Sequence, residues 1–88
     1  MPASSETLVA LPLDVALHAR PAADFVRTAM RFSADIVVAV DGREANAKSL
    51  LDVLRLGAKG GSTLRLRADG DDADGAVDAL AGCVAAFE

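Results

Sequence analysis

Four segments of the chain have the length and the side-chain pattern of β-strands. In each, apolar residues either alternate with polar ones or follow one another as a β-branched run, which is typical of strands in a sheet. Asp41-Gly42 lies between two of these segments and indicates a tight hairpin turn, because both residues tolerate positive φ. The predicted strands are Thr7–Leu11, Ile36–Val40, Arg43–Asn46 and Thr63–Ala68.

Three further segments have features of helices. The first begins at about Ala19, with Pro21 in its first turn, and continues to about Arg31. The second begins after Ser49, which can cap it, and ends at Gly57. The predicted buried stripe of the first helix is Ala22, Phe25, Val26, Ala29 and Met30, and that of the third, which follows the acidic loop 69–75, is Val77, Leu80, Val84 and Phe87.

The order of these elements is βαββαβα, and it predicts the fold class. Short antiparallel strands with helices packed on one face form an α+β structure. We expect an open-faced two-layer sandwich, in which an antiparallel four-stranded sheet carries three helices on one face. A chain of 88 residues supports one modest core, so residues 1–88 are predicted to form a single domain.

The second helix is more apolar than a surface helix needs to be. Ser49 and Asp52 resemble a capping box at its start, with Asp in place of Glu or Gln. Five of the seven residues that follow Ser49 are apolar, whereas a helix packed on a sheet hides only one stripe. Either the helix is buried on more than one side, or part of it forms an exposed patch for a partner. The residues concerned are Leu50, Leu51, Val53, Leu54 and Leu56.

Composition and charge exclude several classes of protein. The formal net charge of −4 argues against general nucleic-acid binding. Cys83 is the only cysteine, so it forms no internal disulfide; it fits a reducing compartment and the edge of the core. No segment has the length of a membrane span, and residues 1–7 lack the features of a signal peptide. We therefore expect a cytoplasmic protein with no membrane insertion.

Three sequence signals for metals or nucleotides fail. The acidic loop 69–75 does not continue with the ligands of a calcium loop, because the closing position falls on Leu80. The glycines of 57–61 are not followed by the lysine and hydroxyl residue of a phosphate-binding loop. One histidine and one cysteine cannot build an ordinary zinc site. No metal and no cofactor are expected.

The only histidine, His18, lies directly before the first predicted helix. Free backbone N–H groups and the positive end of the helix dipole collect at such a place and favour bound anions, phosphate above all. Arg20, two residues later, supplies a planar cation that fits phosphate oxygens. The pattern indicates an imidazole that carries a phosphoryl group, and a helix cap or a plain surface histidine is the alternative.

Two separate motifs resemble the signatures of the histidine-containing phosphocarrier (HPr) family, which belongs to the phosphoenolpyruvate-dependent sugar phosphotransferase system. The active-centre signature is matched by residues 17–23, LHARPAA, and the signature around a regulatory serine by residues 46–51, NAKSLL. Residues 56–61, LGAKGG, and the acidic loop before the last helix fit as well. The resemblance extends from about Thr7 to Phe87, which is nearly the whole chain.

The resemblance implies a role for each matching residue. His18 would accept a phosphoryl group on a ring nitrogen, tele or pros, from enzyme I and pass it to a sugar-specific enzyme IIA domain. Arg20 would neutralise the phosphate charge, and the backbone N–H groups of Ala19 and Arg20 would bind the phosphate oxygens. The chain would be a phosphocarrier rather than an enzyme, because turnover belongs to its partners.

The resemblance also implies a docking surface and a regulatory site. Leu50, Leu51 and Leu54 would lie near His18 and contact enzyme I and enzyme IIA domains, with Arg27 and Lys48 as cations beside them. Ser49 would be the serine that an ATP-dependent kinase phosphorylates in many bacteria, which would add a serine kinase or phosphorylase and a transcriptional regulator to the partners. A phosphate on Ser49 adds about −1.5 to −2 charges at a helix start, so it is expected to switch partners rather than unfold a monomeric carrier.

The chain departs from the family pattern at two positions. Ala16 stands where the family usually has glycine, two residues before the histidine, and it limits the freedom of the loop that presents His18. Asp52 stands where relatives often carry lysine or glycine. The docking surface is therefore less basic than is usual, which affects the rate of association with a foreign enzyme I.

Three other functions compete with sugar uptake. A regulatory relative of the same fold would act through Ser49 and the apolar patch, but it could dispense with His18. A carrier of the same kind could serve a nitrogen-related relay or a dihydroxyacetone kinase. A free-standing ligand-binding domain would need a pocket, for which a two-layer sandwich of this size has little room.

Overall fold

The computed structural model describes residues 3–87; Met1, Pro2 and Glu88, the ends of the predicted single domain, lie outside the described residues. The predicted order of elements, βαββαβα, is confirmed. The elements are β1 (Ser4–Ala10), α1 (Ala19–Ala29), β2 (Asp35–Val40), β3 (Arg43–Asn46), α2 (Leu50–Leu56), β4 (Thr63–Asp69) and α3 (Ala73–Ala85).

The four strands form one antiparallel sheet in the order β1-β4-β2-β3. Strand β4, one of the two central strands, has the predicted alternation: Leu64, Leu66 and Ala68 are buried, whereas Arg65 and Arg67 are exposed on the opposite face. The three helices cover the buried face, and the other face is open. The predicted open-faced two-layer sandwich is therefore correct.

The core lies between the sheet and the helices, and aliphatic side chains form most of it. Phe25 of α1 is fully buried and is its largest side chain. The other fully buried large side chains come from strands, helices and the loop before α1, so every layer contributes. They are Leu17, Val38, Val53, Leu64, Leu66, Leu80 and Val84.

The first strand begins earlier and ends earlier than predicted. It pairs with β4 over its whole length, from Ser4 opposite Asp69 to Ala10 opposite Thr63, so pairing rather than hydropathy sets its bounds. Leu11, predicted as its last residue, follows the strand and is buried, with its N–H donating to the carbonyl of a loop residue.

The end of α1 also differs from the prediction. The helix ends at Ala29 rather than near Arg31, because the N–H groups of Arg31 and Phe32 donate to carbonyls three residues back and tighten the last turn. Met30 is 65% exposed, so its predicted place in the buried stripe is wrong. The rest of the stripe is buried, at Ala22, Phe25, Val26 and Ala29.

The third helix begins before the predicted end of the acidic loop. It starts at Ala73, because the carboxylate of Asp72 accepts hydrogen bonds from the N–H of Ser33 (2.8 Å) and of Ala34 (2.9 Å) and fixes the chain there. These bonds, that from the Ser33 N–H first, hold the pKa of Asp72 below its usual value. Phe87, predicted within the helix, lies beyond its end and is half-buried against the core.

Candidate functional site

The start of α1 leaves backbone donors free. His18 precedes the helix in extended conformation (φ −148°), and its side chain caps nothing. Its carbonyl accepts the first helical hydrogen bond, from the N–H of Ala22 at 3.3 Å. Pro21 has no N–H, so the donors at this end are those of Ala19 and Arg20, for which residues 3–87 offer no acceptor. An anion can therefore bind there.

The backbone at Ala19 is strained. Its φ is +49°, in the left-handed region, which costs a residue with a Cβ about 1–2 kcal/mol. Hydrogen bonds on the preceding residues hold this turn: the N–H of Leu17 donates to Ala58 (3.0 Å), and that of His18 donates to Ala16 (2.9 Å). The strain lies directly beside the candidate phosphoryl acceptor.

The loop that carries His18 is fixed by a second loop. The N–H of Leu11 donates to the carbonyl of Ser62 (2.9 Å), and the N–H of Gly61 donates to that of Leu11 (3.2 Å). Gly60 packs so closely that a Cβ there would overlap the carbonyl oxygen of Leu13. Gly60 and Gly61 of the matched segment 56–61 thus bring the two loops together, whereas Gly57 ends α2 in the left-handed conformation.

The side chains of His18, Ala19 and Arg20 are all exposed. Within residues 3–87, neither the imidazole of His18 nor the guanidinium of Arg20 has a hydrogen-bond or ion-pair partner. A neutral imidazole nitrogen can form a covalent bond to phosphorus, and an unpaired guanidinium can receive phosphate oxygens. The arrangement is open enough for different partners to reach the same ring.

At the start of α2, one of the two hydrogen bonds of the predicted capping box is present. Ser49 is its N-cap, and its Oγ accepts the N–H of Asp52 at 3.2 Å. The reciprocal half of the predicted capping box is absent here, because the N–H of Ser49 donates to the carbonyl of Asn46 (3.0 Å). Ser49 is half-exposed, so its hydroxyl has a structural role and remains within reach of solvent.

The apolar residues of α2 divide between the core and the surface, which resolves the two interpretations that the sequence left open. Val53 and Leu56 are buried, whereas Leu50 and Leu51 are 43% and 59% exposed. Leu54 is half-buried and packs against the core. We call Leu50, Leu51 and Leu54 the apolar patch.

Contacts at both ends show that α1 and α2 run antiparallel. Leu17, before α1, bonds to Ala58, after α2, while the Nζ of Lys48, before α2, donates to the carbonyl of Phe32, after α1 (2.7 Å). The apolar patch therefore extends from the far end of α1 towards His18. Leu54 is the patch residue nearest to His18 along this direction.

Of the three cations that the sequence predicts for the phosphate site and the docking surface, Arg27 and Lys48 already have intramolecular partners. The Nη1 of Arg27 lies 3.3 Å from Oδ1 of Asp24, and the ammonium of Lys48 bonds the carbonyl of Phe32. Arg20 is the third and has no such partner within the described residues. The structure therefore gives Lys48 a role in joining α1 to α2 that the sequence did not predict.

Within residues 3–87, His18 belongs to no metal-binding cluster and lies outside the two larger depressions on the surface. Among residues 3–87, no group of three His, Cys, Asp or Glu side chains is placed to hold a metal ion. Depressions of about 470 Å³ between α1 and α3 and about 460 Å³ on the open sheet face do not include His18. Cys83 is half-buried in the first of them, and burial raises the pKa of its thiol.

Two features of α1 were not predicted from the sequence. Asp24 is ion-paired with Arg27, and their i, i+3 spacing is a signal that could have been used. Met30 is exposed at the end of α1 close to Phe32, but its spacing predicts burial, so no sequence signal revealed it. In the described part of the chain, the longest helix has 13 residues and cannot span a bilayer.

Comparison with known proteins gives a consistent result. The family model described as the phosphorylation site of the HPr component of the phosphotransferase system matches residues 6–86. Phosphocarrier protein HPr of Haemophilus influenzae is 42% identical over 72 residues, which are 82% of this chain and 85% of that protein. The crystal structure of HPr from Bacillus anthracis superposes with a TM-score of 0.88 at 41% identity, covering 93% of this chain and 98% of that one.

A regulatory relative matches as well. Crh of Bacillus subtilis, a protein described by its role in catabolite repression and solved as a swapped dimer, superposes with a TM-score of 0.74 at 39% identity over 88% of each chain. Because the family model spans almost the whole sequence and the fold agrees with solved HPr structures, this chain belongs to the HPr family of phosphocarrier proteins of the phosphotransferase system.

Proposed function

We propose that the chain accepts a phosphoryl group on His18 from enzyme I, which phosphoenolpyruvate has phosphorylated. The chain then passes this group to enzyme IIA domains in carbohydrate uptake. The observation that carries the proposal is the exposed imidazole of His18 at the uncapped start of α1, beside the unpaired guanidinium of Arg20. A histidine with only a structural role would cap the helix or bond a neighbour.

The first transfer is a displacement at phosphorus. An unprotonated ring nitrogen of His18 attacks, a nitrogen–phosphorus bond forms, and the bond from phosphorus to enzyme I breaks with its electron pair staying on enzyme I. The second transfer repeats this with a nucleophile of the IIA domain, which regenerates the free imidazole. The carrier ends in the form in which it began. Its phosphorylated form is therefore a covalent intermediate between the two partners.

The start of α1 supports the phosphorylated state. The N–H groups of Ala19 and Arg20 can donate to the phosphate oxygens, and the positive end of the helix dipole favours the added charge. The guanidinium of Arg20 can add charge-assisted hydrogen bonds, each worth about 1.5–3 kcal/mol. These interactions stabilise the phosphohistidine without a closed pocket, which the next partner could not enter.

The apolar patch, Leu50, Leu51 and Leu54, is the proposed docking surface for both partners, with Arg27 and Lys48 at its edge. Brief encounters with several proteins need a small contact area that is exposed in the free carrier. In the same proposal the carrier is a monomer and works in the cytoplasm, where phosphoenolpyruvate is made. It uses no cofactor and no metal.

A second candidate function is regulation through Ser49, favoured by the likeness to Crh. The half-exposed hydroxyl lies beside the apolar patch, so a phosphate there would place a dianion on the docking surface. A serine kinase or phosphorylase and a transcriptional regulator are the partners that this role needs. Ser49 also caps α2, so phosphorylation replaces one acceptor at the helix start by another.

Intact mass after incubation with phosphoenolpyruvate and enzyme I tests the proposal, on the native chain and on His18→Ala, with Ser49→Ala as the matched control. We expect one acid-labile phosphoryl group on the native chain and on Ser49→Ala, and none on His18→Ala. If the native chain stays unlabelled while a known carrier is labelled in the same mixture, the carrier role is refuted. Regulation through Ser49 is then the remaining candidate function.

The choice of relay is tested by the acceptor. Labelled carrier is mixed with a sugar-specific IIA domain, with the corresponding domain of a nitrogen-related relay and with that of a dihydroxyacetone kinase. Transfer to the sugar-specific domain at least tenfold faster than to the others supports carbohydrate uptake. Faster transfer to either alternative assigns the chain to that relay instead.

A further inference from the structure

Arg43, on the edge strand β3, is bonded to the last turn of α2. Its Nη2 donates to the carbonyl of Leu56, the last residue of the helix, at 2.7 Å, and the contact is partly buried. The final carbonyls of a helix have no partner inside it, and the negative end of the helix dipole favours a cation there. Arg43 therefore caps the end of α2 from another element of the fold.

The end of α2 leads directly to the residue that holds the His18 loop. Gly57 leaves the helix in the left-handed conformation (φ +62°), and a Cβ there would lie 3.9 Å from Nη2 of Arg43. The next residue, Ala58, is buried, and its carbonyl accepts the N–H of Leu17 at 3.0 Å. The carbonyl that Arg43 binds and the carbonyl that Leu17 binds are therefore only two residues apart.

Leu17 connects this segment to the imidazole. It is 1% exposed, lies in the core and directly precedes His18. The side chain of His18 is exposed and bonds nothing within residues 3–87, so the backbone alone sets where the ring lies. Because the bond from Leu17 to Ala58 ties this backbone to the end of α2, a shift of that end also moves the ring.

A second arginine lies in the same turn of α2 without such a contact. Arg55 directly precedes Leu56 and is exposed. Within residues 3–87 its side chain makes no hydrogen bond and no ion pair. Both arginines bring positive charge to the end of α2, but only Arg43 is bonded to its backbone. The difference between them is therefore the hydrogen bond and not the charge.

We propose that Arg43 is a positioning residue for phosphoryl transfer, which fixes the end of α2 so that Ala58 holds the backbone before His18. This inference rests on the proposed carrier function. Arg43 touches no reacting atom, and the exposed leucines of the apolar patch, Leu50 and Leu51, lie in the first turn of α2. Its effect is therefore on the geometry of the transfer and not on docking. A misplacement of about 1 Å can slow a reaction about a hundredfold, so a partial shift is enough to be measured.

The test compares the native chain with Arg43→Met, which keeps an apolar stem but loses the donor, and with Arg43→Lys, which keeps a cationic donor. Arg55→Met is the control for loss of one positive charge at the same helix end. Single-turnover transfer is followed over a range of concentrations of phosphorylated enzyme I. We expect Arg43→Met to lower the maximal rate about three- to tenfold and to change the half-saturating concentration less than about twofold. Arg43→Lys is expected to recover most of the rate, and Arg55→Met to stay within about 1.5-fold of the native chain.

Amide hydrogen exchange on the free chain separates positioning from a loss of overall stability. In Arg43→Met the N–H of Leu17 is expected to exchange about tenfold faster, because its acceptor is no longer held. The N–H of Ala34, which donates to Asp72 at the start of α3, is expected to change less than about twofold.

Four results would each overturn the inference. They are a native maximal rate in Arg43→Met, an equal loss in Arg55→Met, a change confined to the half-saturating concentration, and equal acceleration of exchange at Leu17 and Ala34. If the native chain accepts no phosphoryl group at all, the proposed carrier function is refuted and the inference with it. That outcome differs from the other four, in which the native chain is phosphorylated and the carrier function stands.

Discussion

The first two helices begin in opposite ways. Both are preceded by a residue in extended conformation, His18 before α1 and Ser49 before α2. Ser49 satisfies its helix from within, since its Oγ accepts the N–H of Asp52. His18 makes no such bond, and the N–H groups of Ala19 and Arg20 have no acceptor among residues 3–87. One helix start is closed by a side chain of the protein, and the other leaves its first N–H groups open to solvent.

The difference leaves backbone donors accessible to solvent directly beside the candidate phosphoryl acceptor, His18. At α1 the strain at Ala19 reduces stability locally, while the loop contacts to Ala58 and Ser62 hold the geometry. At α2 the cap contributes to stability and a modification at Ser49 has to replace it. We expect changes at α1 to alter phosphoryl transfer and changes at α2 to alter folding.

The largest expected effect is that of Arg20→Gln at α1. Losing the charge-assisted hydrogen bonds to the phosphoryl group removes about 1.5–3 kcal/mol of interaction, which corresponds to a transfer rate about 10- to 150-fold lower. The urea midpoint is expected to stay unchanged, because Arg20 is exposed and has no partner within the described chain. Single-turnover transfer from enzyme I and urea unfolding measure the two quantities; a lower midpoint with an unchanged rate would make Arg20 a structural residue.

Gly60→Ala tests whether the second loop holds the His18 loop in place. A Cβ at this position overlaps the carbonyl of Leu13, so the two loops must separate at a cost of about 1–3 kcal/mol in unfolding free energy. We also expect slower labelling of His18, because its loop moves. Gly82→Ala, in open space on α3, is the control and is expected to be neutral or stabilising. Full stability in Gly60→Ala would show that the loop contact is dispensable.

Ser49→Ala tests how much the side-chain cap at the start of α2 contributes to stability. Removal of the hydroxyl acceptor is expected to lower the free energy of unfolding by about 1 kcal/mol, and Ser49→Asn, which can still cap, is expected to lower it much less. Labelling on His18 is expected to be unaffected in both. Equal stability of the two variants would mean that the cap contributes nothing, and the comparison between the helix starts would fail.

Ala19→Gly probes the strain at the open helix start. Glycine adopts a φ of +49° without the Cβ penalty, and it also gains freedom in the unfolded chain. We expect a net stabilisation of about 0.5–1 kcal/mol in chemical denaturation. A destabilised Ala19→Gly would show that the left-handed backbone at this position is not strained.

The start of α3 is expected to contribute to the free energy of unfolding in a way that depends on pH. The carboxylate of Asp72 accepts the N–H groups of Ser33 and Ala34, and its pKa lies below the usual 3.8. Its contribution is therefore complete above pH of about 4 and is lost as pH falls below that value through the lowered pKa. Unfolding of the native chain and of Asp72→Asn across this range is expected to converge at low pH; a constant difference would exclude the carboxylate as the cause.

Local sequence signals predicted most of the fold and part of the site. Alternation in β4, the hairpin at Asp41-Gly42 and the cap at Ser49 depend on residues close together in the chain, so they were predicted correctly. The burial of Met30 was predicted wrongly because helical spacing does not show where the last turn tightens. The early start of α3 was missed because Asp72 bonds residues almost forty positions away.

Spacing and residue type were enough to predict the order of elements, the single His18 before a proline-started helix and the arginine two residues later. The packing of the folded chain set which leucines of α2 are exposed, the bond by which Lys48 joins the two helices, and the loop contact at Gly60 that holds the His18 loop. Those features depend on which segments meet in space, and the packing of the whole chain sets that.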